Sequence, residues 1–496
     1  MPKNVMTTEK KLHRIEFHHE SVEERVKHFH EFKTPLTAEE IHEQALRCLH
    51  CGTPYCSSSC PLHNRPVDWN RLVREGKWRD AWECLNATNN FPEVTSRICP
   101  CLCEAGCTQY LIEDSAVGIQ TIERSIIDRA WKSGWVKPEV PLIRTGKKVA
   151  VIGSGPSGLA CAQQLAREGH LVTVFEKNDR AGGLMALGIP DFKLEKPLID
   201  RRLEQMKAEG VTFELGTAVG TDKFDEGVHS FAKKVIPAED VIRDFDAVVL
   251  ALGSEAPRDL KVPGRDAKGV NFALDLLIGQ NREDSGAVKK APISAKGCDV
   301  AIIGGGDTGS DCVGTVRRQG AGKVYLIDVG SEPPEHENKA ETWPNWPRKM
   351  RISTSHEEGC EKLFQVSTKE IVKDKKGEVT AIRCVKLKVD RGPDGRLRFQ
   401  DIPGTEFEIP VQRVYLAMGF LHPSSTVLDA FGVEKDARGN AKTDRPYFTS
   451  REKVFACGDA RRGQSLIVTA TSDGRQCAAA VDAWLMGRTA LTVFAK

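Results

Sequence analysis

Apolar positions along the chain fall into one pattern that occurs twice. In "KKVAVIGSGPSGLACAQQLAREGHLVTVFEK" (147–177) a short continuous apolar run meets a glycine-rich break. Apolar residues then recur at three-to-four spacing, and a second apolar run follows. That order predicts strand, tight turn, amphipathic helix, strand. "CDVAIIGGGDTGSDCVGTVRRQGAGKVYLID" (298–328) repeats it. Near the C-terminus, "VFACGDARRGQSLIVTATSDGRQCAAAVDAWL" predicts a strand, a Gly-Asp turn and a helix. "AVVLALG" and "RVYLAMG" are short apolar strands ending in glycine, expected where the chain crosses between domains. Upstream of Pro141 the pattern is polar and helical, rich in Glu and Lys.

The glycines give the repeat its chemistry. Gly153, Gly155 and Gly158 fit G-x-G-x-x-G, and Glu176 closes the following strand. Such glycines permit a tight turn, close approach to a pyrophosphate and packing of helix on strand. The helix N-terminus faces the phosphates and the acid accepts from a ribose hydroxyl. Gly304, Gly306, Gly309 and Asp328 occupy the same positions in the second unit. Two fingerprints, each in a complete strand–helix–strand context, imply two nucleotides. The C-terminal segment returns to the first unit, with Gly458 at its turn and Asp459 reaching a flavin's ribityl chain; Gly183 joins this set. FAD is therefore expected in the first unit and a nicotinamide nucleotide in the second, inserted into the first. Asp328 favours NADH, whereas Arg317 and Arg318 could swing towards the 2′-phosphate of NADPH. The sequence singles out no catalytic side chain. The expected fold is α/β: an N-terminal helical domain (1–145), then two Rossmann-like domains, FAD-binding (146–285 and 415–496) and NAD(P)H-binding (286–414).

At 496 residues two to four domains are expected. A net charge of +2 gives no reason to invoke nucleic acid or an anionic membrane. The start lacks the apolar core of a secretory signal, and no apolar run approaches the roughly 18 residues of a membrane span. A cytoplasmic protein is expected. Cysteine usage is lopsided: nine of the 16 fall within the first 107 residues. Cys48, Cys51, Cys56 and Cys60 form C-x2-C-x4-C-x3-C-P, and Cys99, Cys101, Cys103 and Cys107 follow. In a reducing compartment such crowding points to metal rather than disulfides. Structural zinc usually pairs two C-x2-C knuckles, and here there is one. Ferredoxin-like spacing, with a Cys-Pro end, fits iron–sulfur clusters better, and two groups suggest two clusters with crossed ligands. The histidines His13, His18, His19, His28, His30, His42 and His50 show no repeated ligand spacing and read as a solvated helix face. No redox dithiol stands near the second glycine unit, so electrons are expected to leave through the clusters.

These residues resemble the small (beta) subunit of glutamate synthase along nearly the whole chain. The resemblance is carried by "CLHCGTPYC", "NNFPEVTSRICP", "GIPDFKLEK", "GGGDTGSDCVGTVRRQGA", "WPNWPRKMRISTSHEEG" and "GDARRGQSLIV". It implies one 4Fe–4S cluster on Cys48, Cys51, Cys56 and Cys107. A second would sit on Cys60, Cys99 and Cys103, with Glu123 as its remaining ligand. Cys101 stands where relatives commonly have another residue and could compete with Cys103. The implied activity is oxidation of NADH or NADPH at FAD and delivery of electrons to a large (alpha) subunit that makes glutamate. The alternative is an electron-transfer subunit serving a different oxidoreductase.

Overall fold

A computed structural model describes residues 12–493. The chain forms two compact units. One comprises residues 12–19, Lys33–Lys137 and Glu337–Arg348; the other comprises Glu20–Phe32, Pro138–His336 and residues 349–493.

The first unit is helical. Ala38–Leu46 starts with a capping box between Thr37 and Glu40, and Pro66–Arg74 and Pro92–Ile98 start with proline in the first turn. Trp78–Asn86 and Ile119–Lys132 complete the frame. Trp69, Leu85, Ile122 and Ile126 form its core together with Cys56 and Cys107. The solvated helix expected over the N-terminal histidines is not formed. Among the described residues before Thr37 only the single turn Val22–Arg25 is helical, His18–His19 pairs antiparallel with Lys33–Thr34, and His42 alone of these histidines lies in a longer helix, Ala38–Leu46. Distant partners override local propensity here, because Arg25 is buried against Glu358 and donates to the Thr354 carbonyl and to Glu357.

The second unit holds two five-stranded parallel sheets. In one, the strand order is Val454–Ala456, Ala247–Leu250, Lys148–Ile152, Leu171–Glu176, Thr212–Leu215. In the other it is Glu361–Phe364, Val324–Asp328, Val300–Ile303, Arg413–Leu416, Val270–Phe272. The central strands are buried along almost their whole length, as parallel sheets covered on both faces require. Val270–Phe272 lies in the second sheet although the expected boundary at 285 put it with the first, because Val414–Leu416 offers it a parallel edge. The two glycine-ended strands leave their sheets side by side. Arg258 N–H donates to Gly419 O and Leu421 N–H to Ala256 O, so the chain crosses between the two sheets through one small antiparallel bridge. Strands Val366–Lys373, Val379–Arg391, Leu397–Asp401 and Phe407–Pro410 add an antiparallel sheet.

Candidate functional site: two glycine turns and a thiol-lined cavity

The two glycine turns are built alike, contact for contact. Gly153 has φ +103° and Gly304 φ +119°, a region L side chains avoid. A Cβ on Gly153 would lie 2.4 Å from Ala251 O, and one on Gly304 2.2 Å from Ala417 O. These carbonyls end the neighbouring strands. A Cβ on Gly158 or Gly309 would lie 2.1 Å from the carbonyl of Gly153 or Gly304 respectively, so helix and strand touch at bare backbone. Gly155 and Gly306 meet nothing within 4 Å. Each turn thus has two closed faces and one open face, which is the cradle a pyrophosphate needs at a helix N-terminus.

The first turn opens on a cavity of about 630 Å³. Gly153, Gly155, Glu176, Gly183 and Asp459 line it, as do Asp307 and Thr308 from the start of the second fingerprint's helix. Both fingerprints therefore reach one cavity. Gly183 belongs there because a Cβ on it would lie 2.8 Å from Gly155 Cα. Glu176 fixes the turn: Oε2 accepts from Ser154 N–H at 3.0 Å and from its hydroxyl, and Oε1 accepts from Asn178 N–H at 2.9 Å and Nδ2 at 2.8 Å. Gly458 N–H donates to Asp473 Oδ2 at 2.7 Å. Asp459 accepts from the Ser465 hydroxyl, and burial pushes its carboxyl up to about 6. Ser154, Asn178, Asp307 and Thr308 were missed by the sequence reading. All but Asn178 stand inside or just after the glycine motifs, where a reading for glycines alone passes over them.

Asp328 ends its strand beside the second turn, with Oδ2 2.3 Å from where a Cβ on Gly305 would stand and Oδ1 accepting from Gly330 N–H at 2.8 Å. Arg317 and Arg318 are not placed for a phosphate. Arg317 donates to the carbonyls of Glu358, Ala321 and Gly322. Arg318 pairs with Glu358, both side chains being fully buried, donates to His28 O and lies over the Phe192 ring at 3.8 Å. Helix Asp307–Arg318 carries both guanidiniums at its last turn, away from the glycine end.

In the helical unit, Cys48, Cys51, Cys56 and Cys107 line one small cavity. Burial, and next the neighbouring Cys103, Cys107 and Cys48, raise the Cys56 thiol. Burial also raises Cys107, against the backbone N–H groups of Val117, Gln109 and Tyr110 that point at it. A second group forms around Cys103. Cys60 is raised by burial and by Cys103 and Cys99. Cys103 is drawn down by Cys101 but raised on balance by burial and by Glu104, Cys99 and Glu123. Glu123 is buried, and burial pushes it up to about 8 despite hydrogen bonds from Thr95 at 2.6 Å and Asn89 at 3.1 Å, both to Oε1. Cys101 sits in the left-handed region at φ +64° with its Sγ 3.2 Å from Cys99 O. Among the described residues no three His, Cys, Asp or Glu converge on one point as a single metal ion requires. Burial disfavours the thiolate form that a metal takes, so thiols in this setting would ligate only with positive charge beside them, as iron supplies.

The distant stretch Glu337–Arg348 belongs to this unit. Trp343 packs on Tyr55 with ring centroids 4.7 Å apart, Ser59 donates to Pro344 O, and Lys339 donates to Tyr110 O and pairs with Asp114. Part of "WPNWPRKM" therefore covers the short helix Tyr55–Ser58.

Known proteins share these features. Residues 147–474 match the family Pyridine nucleotide-disulphide oxidoreductase, and residues 25–135 match dihydropyrimidine dehydrogenase domain II, 4Fe-4S cluster. The chain is similar in fold to Mycobacterium tuberculosis FprA in complex with NADPH, with a TM-score of 0.53 and 18% identity over 71% of this chain and 87% of that one. It is 46% identical to the glutamate synthase [NADPH] small chain of M. tuberculosis over 94% of this chain and 93% of that one. With the Bacillus subtilis small chain the identity is 41%, over 94% and 95%. It also matches glutamate synthase [NADH] of Saccharomyces cerevisiae at 41%, over 95% of this chain and 22% of that one. On identity of this extent, together with two dinucleotide turns and an N-terminal thiol unit, the chain belongs to the glutamate synthase small-chain family.

Proposed function

We propose that this chain is the electron-input subunit of a glutamate synthase. It oxidises NADH or NADPH and delivers the electrons, by way of FAD and 4Fe–4S clusters, to a large subunit that makes L-glutamate from L-glutamine and 2-oxoglutarate. The observation that carries the reading is the opening of both glycine turns, through Gly155 and Asp307, on one cavity in a chain that also has two thiol groups. Flavin, when bound, takes two electrons as hydride and gives them up singly, as clusters require.

The protein's own residues define the task. Gly153, Gly155 and Gly158 hold open the FAD pyrophosphate cradle, and Glu176 keeps the turn closed on its other side. Asp459, which lines the same cavity, would reach the ribityl chain. Gly304, Gly306 and Gly309 would hold the nicotinamide nucleotide, with Asp307 and Thr308 on the wall of the shared cavity. Cys48, Cys51, Cys56 and Cys107 would hold one cluster. Cys60, Cys99, Cys103 and the Oε2 of Glu123 would hold the other, with Oε1 already engaged by Thr95 and Asn89.

The partner is proposed on the family's pattern: the yeast relative is a far longer chain, of which 22% corresponds to this one. Among the described residues no helix is long and apolar enough to cross a membrane. The test is affinity capture of the tagged subunit, followed by an assay for glutamate from glutamine, 2-oxoglutarate and reduced coenzyme. Capture of a large flavoprotein with that activity supports the proposal. Capture of a different oxidoreductase, with no glutamate formed, transfers the same electron-input role to another reaction.

A further inference from the structure

Two side chains at the first thiol cavity have no assigned role. Asn70, on helix Pro66–Arg74, and Gln109, at the start of Gln109–Glu113, line the cavity with Cys48, Cys51, Cys56 and Cys107. Asn70 is 1% exposed and Gln109 7%. The buried Oδ1 of Asn70 and Oε1 of Gln109 lack any hydrogen-bond partner. Two unpartnered amide oxygens in one small cavity are unexpected, because burying a polar group without a partner is costly. Leu49, Pro54, Val67, Val117 and Ile119 line the wall without polar side chains, and the hydroxyls of Tyr55 and Thr108, which also line it, do not hydrogen-bond these oxygens. A half-turn about the terminal bond exchanges amide oxygen for NH2, so each group is a ready donor towards whatever acceptor the thiols hold.

Resting on the cluster reading above, we propose that Asn70 and Gln109 donate N–H···S hydrogen bonds to the cluster held by Cys48, Cys51, Cys56 and Cys107 and raise its reduction potential. Cluster sulfurs become more negative on reduction, so donors aimed at them stabilise the reduced form more than the oxidised one. Asn70 and Gln109 are both positioning residues, since they act through the cluster.

The experiment is an EPR-monitored redox titration of the holo-subunit carrying Asn70→Leu, Gln109→Leu or both, with iron and labile sulfide measured on each sample. In the double variant the ratio of reduced to oxidised cluster at a fixed potential should fall about tenfold, a shift of about 59 mV to more negative potential for a one-electron couple. The other cluster should not move. Unchanged potentials with full iron and sulfide overturn the inference and leave the cluster reading standing. A wild type without labile sulfide overturns both. Where a substitution costs the cluster itself, the unaltered holo-subunit decides. With asparagine and glutamine side chains labelled with 15N, pulsed EPR of the reduced cluster should show 15N coupling, and its absence overturns the assignment.

Discussion

Asp328 puts a carboxylate beside the second glycine turn, where the adenosine ribose of a bound nucleotide would lie. A 2′-phosphate there meets like charge. At ~4 Å and an effective dielectric of ~20, each pair of unit charges costs about 4 kcal/mol before screening. Half of that still gives roughly thirtyfold discrimination. With Arg317 and Arg318 bound to Glu358 and to backbone carbonyls, no guanidinium of that helix end offsets it. The wild type is expected to prefer NADH in kcat/KM, and Asp328→Ala to lose most of that preference; a wild type favouring NADPH would sink the idea. Among the thiols, Cys60→Ser should damage the cluster assigned to Cys60, Cys99 and Cys103 more than its neighbour. EPR of the two reduced clusters reads this directly, and equal loss of both counts against the crossed assignment.

At the scale of elements, the turns were legible in the sequence because backbone contacts within a few residues dictate their glycines. Gly309 is the sharpest case: a Cβ there meets Gly304 O at 2.1 Å, which neither backbone can relieve. Overpacking of about 1–3 kcal/mol corresponds to roughly five- to 150-fold weaker nucleotide binding. Gly309→Ala should therefore slow flavin reduction by NAD(P)H while FAD content stays full, and loss of FAD would show that the turns are not separate. What the sequence did not reveal depends on distant partners. The stretch around the N-terminal histidines read as a solvated helix face, and Arg317 and Arg318 as able to swing towards a phosphate. Distant partners decide both: Arg25 and Arg318 converge on Glu358, all three side chains being at most 1% exposed, and Arg317 donates to backbone carbonyls. Removing the acid leaves the buried Arg318 without a carboxylate and Arg25 with Glu357 alone, so Glu358→Leu should cost about 3–5 kcal/mol in denaturant unfolding of the FAD-bound protein. Arg317→Ala, by contrast, should leave coenzyme preference unchanged.

For the whole molecule, two 4Fe–4S clusters mean about eight irons and eight labile sulfides per FAD. Zinc without sulfide would remove the basis of the proposal. The isolated subunit should reduce artificial acceptors with NAD(P)H and make no glutamate. Glutamate formed without a large partner would contradict the division of labour. The thiol spacings and glycine motifs announced the two kinds of unit, but not that each completes itself with a distant stretch of chain. That exchange orders events in time. Tyr55 and Ser59 stand between the thiols Cys51, Cys56 and Cys60, and their cover is Trp343 and Pro344. A nascent chain has every proposed ligand of both clusters long before it has that cover. At ~5–20 residues per second the interval is roughly 11–45 s. During it the helix Tyr55–Ser58 stands open to iron and sulfide delivery, and translation past residue 348 brings the loop that closes it.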